Sequence, residues 1–321
     1  MKNKFTWFFM ILILVALMVS GCAGEDTNAS GSEGSDLVEP TTINIGMMSS
    51  SDVIPYVLIN ELKLYEDYDF KLNLEVFMSA IDRDAAFQAG ELDGVLTDYI
   101  GVTMYQNADF DVKITGITDG DYILMAGKDT GIQSLDQLKD KSIAISQNTL
   151  IDYSLDYILT ESGIDLDSIE REVVARIPDR LELLRNGQID LGLMPEPFAT
   201  LGLNSGAIYL KSANDVGLYP AVSAFSQKAL DEKEAAIRQL YQAYNRAVEY
   251  MNSTPLSEYE AIVIEAVRYP EEMIGQVEID EFRQSQLPDK DAVEKAIAWS
   301  IERGLTKSDL TYDDIVYDVY E

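Results

Sequence analysis

The pattern of apolar and polar positions predicts a regular succession of strands and helices in the first part of the chain. TINIGMM at 42–48 and KLNLEVFM at 71–78 alternate apolar with polar residues, which predicts two strands. Pro55 begins an apolar stretch that predicts a helix through Leu64. DRDAAFQAG, closed by Gly90, predicts a second helix, and LDGVLTD predicts a buried strand. This order predicts an α/β fold in which a mostly parallel sheet carries helices on both faces.

The second part of the chain repeats this order. VKITGITDGDYILMAGK predicts two strands with a turn at Asp119-Gly120, and SLDQLKD predicts a short helix with Ser134 and Gln137 as a capping box. KSIAIS predicts the next strand and is followed by a predicted helix over about 152–162. IEREVVA and PDRLELLRNG then lead into the strand IDLGLM. The repeated order predicts two similar α/β halves.

Two segments match without gaps, DRDAAFQAGELDGVL at 82–96 and DRLELLRNGQIDLGL at 179–193. Each predicts a helix, a glycine C-cap and a strand. The identical pairs are Asp82 with Asp179, Arg83 with Arg180, Gly90 with Gly187, Asp93 with Asp190 and Leu96 with Leu193. The match has two explanations, a repeated unit with a shared function or a connection between helix and strand that is common in α/β proteins.

The last part of the chain is strongly helical. After the strand YPAVSAFS, the sequence from Ala229 places apolar side chains on one face at helical spacing, which predicts core packing. These side chains belong to Ile237, Leu240, Tyr241, Tyr244, Val248 and Met251. DKDAVEKAIAWSIERG predicts a further helix near the C-terminus.

Composition removes several classes of enzyme. The 321-residue chain has no histidine and one cysteine. A Ser-His-Asp triad, a Cys-His pair and an imidazole metal site are therefore excluded. Asp119-Gly120-Asp121 lacks the further ligands of a calcium loop and predicts a turn, so we expect neither a metal nor a cofactor.

The cysteine lies in an N-terminal export pattern. Lys2 and Lys4 precede a short apolar core, and VSGC follows. VSGC resembles the lipobox of bacterial lipoproteins, which implies a signal peptide at 1–21 and acylation of Cys22. Residues 22–40 are rich in Gly, Ser and acids and predict a lipidated flexible tether. We therefore expect a lipid-anchored protein on the extracytoplasmic face of the cell membrane.

The mature protein is strongly acidic. Loss of Lys2 and Lys4 with the signal leaves 22 basic residues against 56 acidic ones, a formal charge of −34. Such a surface argues against nucleic acid as a partner. It does not determine the charge of a buried ligand site.

GELDGVLTD, SLDQLKDKSIAIS and GQIDLGLMPEPFAT together resemble the ABC-transporter substrate-binding proteins of the sulfonate, taurine, nitrate and thiamine-precursor group. The resemblance covers roughly Thr42 to Tyr320. It implies a two-lobed type II periplasmic-binding fold, with lobe one at 41–125 and 225–321 and lobe two at 126–220. The crossing strands would be YILMAGK and YPAVSAFS. The implied protein is a monomer without enzymatic activity that delivers a small molecule to an ABC permease in the membrane.

Polar residues follow four predicted strands, in SSSD, TDY, SQNT and MPEPF. Ligands of open parallel sheets bind beyond the carboxyl ends of the strands, so these ends predict the site. Ser, Asp and Thr are also favoured helix caps, and SSSD and SQNT fit either role. The candidate ligand-binding residues are Ser50, Ser51, Asp52, Tyr56, Thr97, Asp98, Gln147, Asn148, Thr149, Glu196 and Phe198.

The side chains near these ends favour a heterocyclic ligand such as a pyrimidine. Asp98 and Glu196 would face a ligand that offers N–H donors or positive charge, because an unpaired buried acid is costly. The alternative is that one or both face solvent, as most acids in so acidic a chain do. Aromatic rings near the loops could stack on a flat ring, namely those of Tyr56, Tyr99, Tyr153 and Phe198. The four loops contain no Arg or Lys, which argues against an anion. Backbone N–H groups also bind oxyanions, so a sulfonate or nitrate remains the alternative.

Two alternatives belong to other functional classes. The first is a surface receptor that senses a ligand without transporting it. The second is an enzyme that uses Asp98 and Glu196 as a carboxylate pair, which the export pattern and the missing histidine disfavour.

Overall fold

A computed structural model describes residues 39–279 and 281–320. The predicted signal peptide, Cys22 and almost all of the predicted tether lie outside the described residues. Ten strands are described: β1 (Thr41–Met48), β2 (Phe70–Phe77), β3 (Gly94–Asp98), β4 (Val112–Ile117), β5 (Tyr122–Ala126), β6 (Lys141–Ile145), β7 (Ile169–Val173), β8 (Leu191–Pro195), β9 (Ile208–Ser212) and β10 (Ala221–Ser226).

The described residues also form ten α-helices. These are α1 (Ile54–Glu61), α2 (Ala80–Gln88), α3 (Tyr99–Asn107), α4 (Leu150–Glu161), α5 (Ile177–Arg185), α6 (Phe198–Asn204), α7 (Gln227–Ser253), α8 (Glu260–Ala266), α9 (Lys290–Glu302) and α10 (Tyr312–Ile315). In the same part of the chain, no helix combines the length and apolar character needed to cross a bilayer.

The strands form two five-stranded sheets with equivalent topology. Their orders are β2-β1-β3-β10-β4 and β7-β6-β8-β5-β9. In the first sheet β1 is parallel to β2 and β3, and β10 is antiparallel to both of its neighbours. In the second, β6 is parallel to β7 and β8, and β5 is the antiparallel strand. This arrangement confirms the predicted two-lobed α/β fold, and we call the parts built on the first and second sheets lobe one and lobe two.

The chain passes between the sheets twice. It leaves the first sheet after Ile117, enters the second at Tyr122, and returns between Ser212 and Ala221. The two predicted crossing strands therefore each pair within a single sheet, β5 within the second and β10 within the first. The first change of sheet comes a few residues before the predicted lobe boundary at residue 125.

The repeated segment has the same structural role in both lobes. Asp93 accepts a hydrogen bond from the backbone N–H of Asn44 at 2.8 Å, and Asp190 accepts one from the backbone N–H of Ser142 at 2.9 Å. Each carboxylate thus joins the turn before β3 or β8 to the neighbouring strand, β1 or β6. The glycines that precede them, Gly90 and Gly187, have positive φ angles of 78° and 64°, which favour glycine.

Two helices begin directly where loops were expected. Asp98 caps α3, and α6 begins at Phe198 immediately after the second proline of MPEPF. Most of the residues in both helices are buried, so neither sequence shows the alternation of buried and exposed faces from which a helix is predicted. The long helix α7 behaves as predicted, with its apolar stripe buried in the core.

A group of charged side chains connects the lobes beside their boundary. Asp156 of α4 accepts a hydrogen bond from Nε1 of Trp299 on α9 at 2.7 Å and forms an ion pair with Arg303, the C-cap residue of α9. Asp152 also pairs with Arg303, at 3.7 Å, and Arg171 pairs with both acids at 2.7 and 2.6 Å. Helix α9 packs against α3 of lobe one, so these contacts link lobe one to α4 of lobe two.

Candidate functional site

A cavity lies between the lobes at the carboxyl ends of several strands. Its free volume is about 570 Å³, including the part that opens to solvent. Lobe one contributes the polar residues Ser50, Asp52, Arg83, Thr97 and Asp98. Lobe two contributes Tyr122, Ser146, Thr149 and Arg180. The remaining lining is mostly apolar and includes Met48, Leu96, Leu150, Ile151, Ile177 and Pro195. Apolar walls with a few polar groups are typical of small-molecule sites.

The structure brings five of the eleven predicted ligand-binding residues to this cavity. They are Ser50, Asp52, Thr97, Asp98 and Thr149. The other six, which are Ser51, Tyr56, Gln147, Asn148, Glu196 and Phe198, lie outside its lining. The predicted strand ends therefore locate the cavity, but neighbouring residues within each loop face different surroundings.

The aromatic residues near the loops pack elsewhere. Tyr56 is fully buried, and its ring lies 5.2 Å from that of Tyr244 in the core of lobe one. Phe198 is buried in the same apolar cluster, and Tyr153 packs against Trp299 at 5.4 Å. Tyr99 lines a separate, more polar cavity with Tyr153. Tyr122, which the loop analysis did not select, is the aromatic residue in the lining of the cavity between the lobes.

Glu196 interacts with the beginning of α6. Its Oε2 accepts a hydrogen bond from the backbone N–H of Thr200 at 3.1 Å, and the side chain is 9% exposed. The Glu196–Pro197 peptide bond is cis. Pro195, its neighbour on the other side, lines the cavity. Glu196 therefore satisfies a backbone group in the first turn of a helix, as N-terminal acids commonly do.

Asp98 lines the cavity and also caps a helix. Its Oδ1 accepts a hydrogen bond from the backbone N–H of Gly101 at 2.9 Å. Burial raises the pKa of this carboxyl to about 6, and the positive charge of Arg83 opposes that rise. The same side chain therefore forms part of the cavity wall and caps α3.

Arg83 reaches the cavity from α2 with its hydrogen bonds satisfied. The side chain is buried and forms an ion pair with Asp84 at 2.8 Å. Its Nη1 donates to the carbonyl oxygen of Leu96 at 2.7 Å, and its Nη2 donates to Thr97 Oγ1 at 3.0 Å. Arg83 therefore holds the end of β3 and balances the nearby acids.

Arg180 occupies the equivalent position in lobe two but has no acidic partner in the described part of the chain. It is 1% exposed, and within residues 39–279 and 281–320 it forms no ion pair. Its Nη1 donates to the carbonyl oxygen of Val174 at 3.2 Å, whereas its Nε is buried and donates to no described group. Burial lowers the pKa of Arg180 to about 10, so the guanidinium remains charged at neutral pH. The cavity wall thus contains a buried cation whose charge is uncompensated by the described side chains.

Asp52 is a second buried titratable side chain in the cavity wall that forms no ion pair with a described residue. It is 6% exposed, accepts a hydrogen bond from Ser50 Oγ, and accepts another from Thr118 Oγ1 at 3.3 Å. Burial raises the pKa of this carboxyl, and the two hydroxyl groups partly oppose the rise. The described part of the chain provides Asp52 with neutral partners rather than an ion pair.

Both arginines lie outside the four strand ends that predicted the site, so neither was among the candidate residues. Arg83 and Arg180 are each the fourth residue of a helix, α2 and α5, and their long side chains reach the cavity from there. The signal was present in the sequence, because the two residues align in the repeated segment. The absence of Arg and Lys from the four loops was therefore not evidence against a positively charged site.

Among residues 39–279 and 281–320, no cluster of three or more His, Cys, Asp or Glu side chains is placed to hold a metal ion. The cavity walls offer hydrogen bonds and opposite charges. With this cavity between two α/β lobes, the molecule has the architecture of a type II periplasmic solute-binding protein.

Comparison with known sequences identifies the family. The sequence pattern that defines the NMT1-like family matches residues 36–265, well over half of the chain. The chain belongs to the NMT1-like family. A search of curated proteins gives no significant match.

Solved structures with the same fold include three transport-related binding proteins. The ligand-binding component of an ABC-type import system from Staphylococcus aureus, with zinc bound, has a TM-score of 0.74 and 18% identity, covering 87% of this chain and 98% of that one. The aliphatic sulphonate binding protein SsuA of Escherichia coli has a TM-score of 0.73 and 16% identity, covering 87% and 92%. The nitrate-binding protein NrtA of Synechocystis PCC 6803 has a TM-score of 0.65 and 14% identity, covering 86% and 84%.

The family and the fold confirm the group of proteins that the sequence resembles. They also agree with the prediction of a binding protein rather than an enzyme, because the similar structures are those of solute-binding proteins.

Proposed function

We propose that the protein is an extracytoplasmic solute-binding lipoprotein of an ABC importer and that its ligand is a small organic molecule with an acidic group. The ligand binds in the cavity between the lobes, and closure of the lobes around it prepares its delivery to a membrane permease. The export pattern and Cys22 support the lipid anchor. The family and the similar folds support the transport role.

Arg180 is the observation that carries the choice of ligand. An isolated charge is expensive to bury, so the free energy of the charged side chain falls when an opposite charge enters the cavity. A guanidinium also offers paired N–H donors that match the oxygens of a carboxylate, sulfonate or phosphate. Nη2 of Arg180 donates to no described group and remains available for such a contact.

The acid-binding proposal replaces the preference for a heterocyclic ligand such as a pyrimidine. That preference depended on aromatic rings near the loops and on loops without basic residues. The rings of Tyr56 and Phe198 belong to the core, and two arginines line the cavity. The similar sulphonate-binding and nitrate-binding folds are consistent with an anionic ligand.

Calorimetry with purified mature protein tests this proposal. The wild type is first screened by thermal shift against carboxylates, sulfonates, phosphates, nitrate and neutral pyrimidines. For each compound that binds, the affinity of the wild type is then compared with the affinities of Arg180→Met and Arg176→Met. Arg176→Met changes an exposed arginine one turn earlier in the chain. We expect Arg180→Met to weaken acid binding by at least about 30-fold, because truncation of one partner of a buried charge pair costs about 2 kcal/mol or more.

The control Arg176→Met is expected to bind as the wild type does. Binding of neutral pyrimidines but not of any acid would contradict the proposal. Equal acid affinities in the wild type and Arg180→Met would contradict it as well.

A further inference from the structure

Asp52 is a buried carboxylate that lines the cavity and whose described partners are all neutral. One oxygen accepts from Ser50 Oγ and the other from Thr118 Oγ1. The hydroxyl groups orient the carboxylate, but they do not neutralise it. A buried charge is costly unless it is paired, so this site is incomplete without a cationic or N–H donor group.

The other acid of the cavity has a cation and a backbone donor nearby, which partly offset its burial. Asp98 accepts the backbone N–H of Gly101, and the charge of Arg83 stabilises its ionised form. Arg83 in turn is committed to Asp84 and to two oxygens at the end of β3. The charge of Arg83 lowers the pKa of Asp52 less than the two hydroxyl groups do, and burial outweighs them all. Asp52 is therefore the acid that can best accept a donor from a ligand.

The two incompletely paired charges belong to different lobes. Asp52 follows β1 in lobe one, and Arg180 is on α5 in lobe two. Both line the same cavity. A ligand with one negative and one positive group would complete both sites and join the two lobes.

We infer that the ligand is a small zwitterion, an organic acid with an amino or amidino group, whose acidic group binds Arg180 while its cationic N–H group binds Asp52. This inference deepens the proposed function and depends on it. Each charged group of the ligand meets a buried opposite charge, so both contacts are charge-assisted hydrogen bonds. Selectivity then follows, because an acid without the amino group leaves Asp52 buried and unpaired.

Matched pairs of ligands test this assignment by calorimetry. Each pair consists of an amino acid or aminosulfonate of one to six carbons and the same acid without its amino group, such as 2-aminoethanesulfonate with ethanesulfonate and 4-aminobutyrate with butyrate. For at least one pair we expect the wild type to bind the amino compound at least about 10-fold more tightly, as for a charge-assisted bond of about 1.5 kcal/mol. Asp52→Asn should reduce that ratio to less than about 3-fold.

Asp52→Asn keeps the size of the side chain, and its thermal unfolding is measured to establish that it folds. Asp129→Asn, which removes an exposed carboxylate, controls for net charge and should keep the wild-type ratio. Equal binding of the amino and plain acids by the wild type would overturn the zwitterion assignment and leave the acid-binding proposal intact. An unchanged ratio in Asp52→Asn would also overturn it. Failure of every acid in both sets to bind would overturn the proposed function and this inference together.

Discussion

Replacement of Arg180 by methionine should stabilise the ligand-free protein while it weakens ligand binding. Burial lowers the pKa of this guanidinium from its ordinary value of 12.5 to about 10. A change of that size corresponds to about 3 kcal/mol of unfavourable free energy for the charged form in the folded protein. The folded-state pKa is lowered, so this cost is fully present below about pH 10 and is relieved only as the pH rises from there towards 12.5.

The stabilisation is smaller than this cost, because the substitution also removes the hydrogen bond to the carbonyl oxygen of Val174. Loss of one such bond costs about 1 kcal/mol, which leaves a net gain of about 2 kcal/mol for Arg180→Met. Unfolding entropy is about 2.1 cal/mol/K per residue, so for a folded part of this size that gain raises Tm by roughly 3 °C. Differential scanning calorimetry of the ligand-free protein at pH 7 measures it.

Arg83→Met is the matched comparison, because it changes the equivalent residue of the repeated segment. It removes the hydrogen bonds to Leu96 and Thr97 and leaves Asp84 without its cation. Loss of one partner from a buried ion pair typically costs about 3 to 5 kcal/mol, so Tm should fall. The two substitutions therefore change stability in opposite directions.

A clear fall in the Tm of ligand-free Arg180→Met would refute this reasoning, since it would show that Arg180 stabilises the folded protein. A rise in Tm with unchanged ligand affinity would instead show that the buried charge of Arg180 lowers stability but does not contribute to ligand binding.

Three further predictions concern other parts of the molecule. The pKa of Asp98 is raised to about 6, so protonation of this carboxyl stabilises the folded state increasingly as the pH falls from about 6 towards 4. In chemical denaturation, the wild type should therefore gain stability relative to Asp98→Asn over that interval. A constant difference between the two free energies of unfolding would contradict the raised pKa. Arg303→Gln removes a contact between the C-cap of α9 and Asp156 of lobe two, so the ligand-free protein should open further and show a larger radius of gyration in X-ray scattering. Lys307→Gln, which breaks an exposed ion pair within lobe one, should not change it. Cys22→Ala should abolish labelling by radioactive palmitate in the native host and release the protein from the membrane fraction, and retained labelling would contradict the lipobox interpretation.

Local sequence patterns predicted most strands and helices because each pattern depends on nearby residues. The segments that contain Asp93 and Asp190 show this best, since a helix, a glycine of positive φ and a strand are all encoded within fifteen residues. Helices α3 and α6 escaped prediction for the opposite reason. They are buried over most of their length and contain weak helix formers such as Gly and Thr, so packing against distant elements stabilises them.

The candidate site was predictable only to the level of its strand ends. Asp52 and Asp98 were found because they directly follow predicted strands, where ligands of parallel sheets bind. Tyr56 and Phe198 come from the same regions, yet their rings pack into the core. Residues one or two positions apart in a turn can face the cavity or the core. Their closeness in sequence does not predict which of the two each side chain faces.

The sequence by itself determined the family, the two α/β halves and the position of the cavity at the strand ends. The tertiary structure alone decided which side chains line that cavity and which of them lack a partner. The two buried arginines demonstrate the difference, because they are aligned in sequence and placed alike on α2 and α5. Arg83 meets an acid, and Arg180 meets none among the residues that the structure describes. The physical reason is that the free energy of a buried charge depends on groups brought near it by folding, and these groups are not specified by its neighbours in the chain.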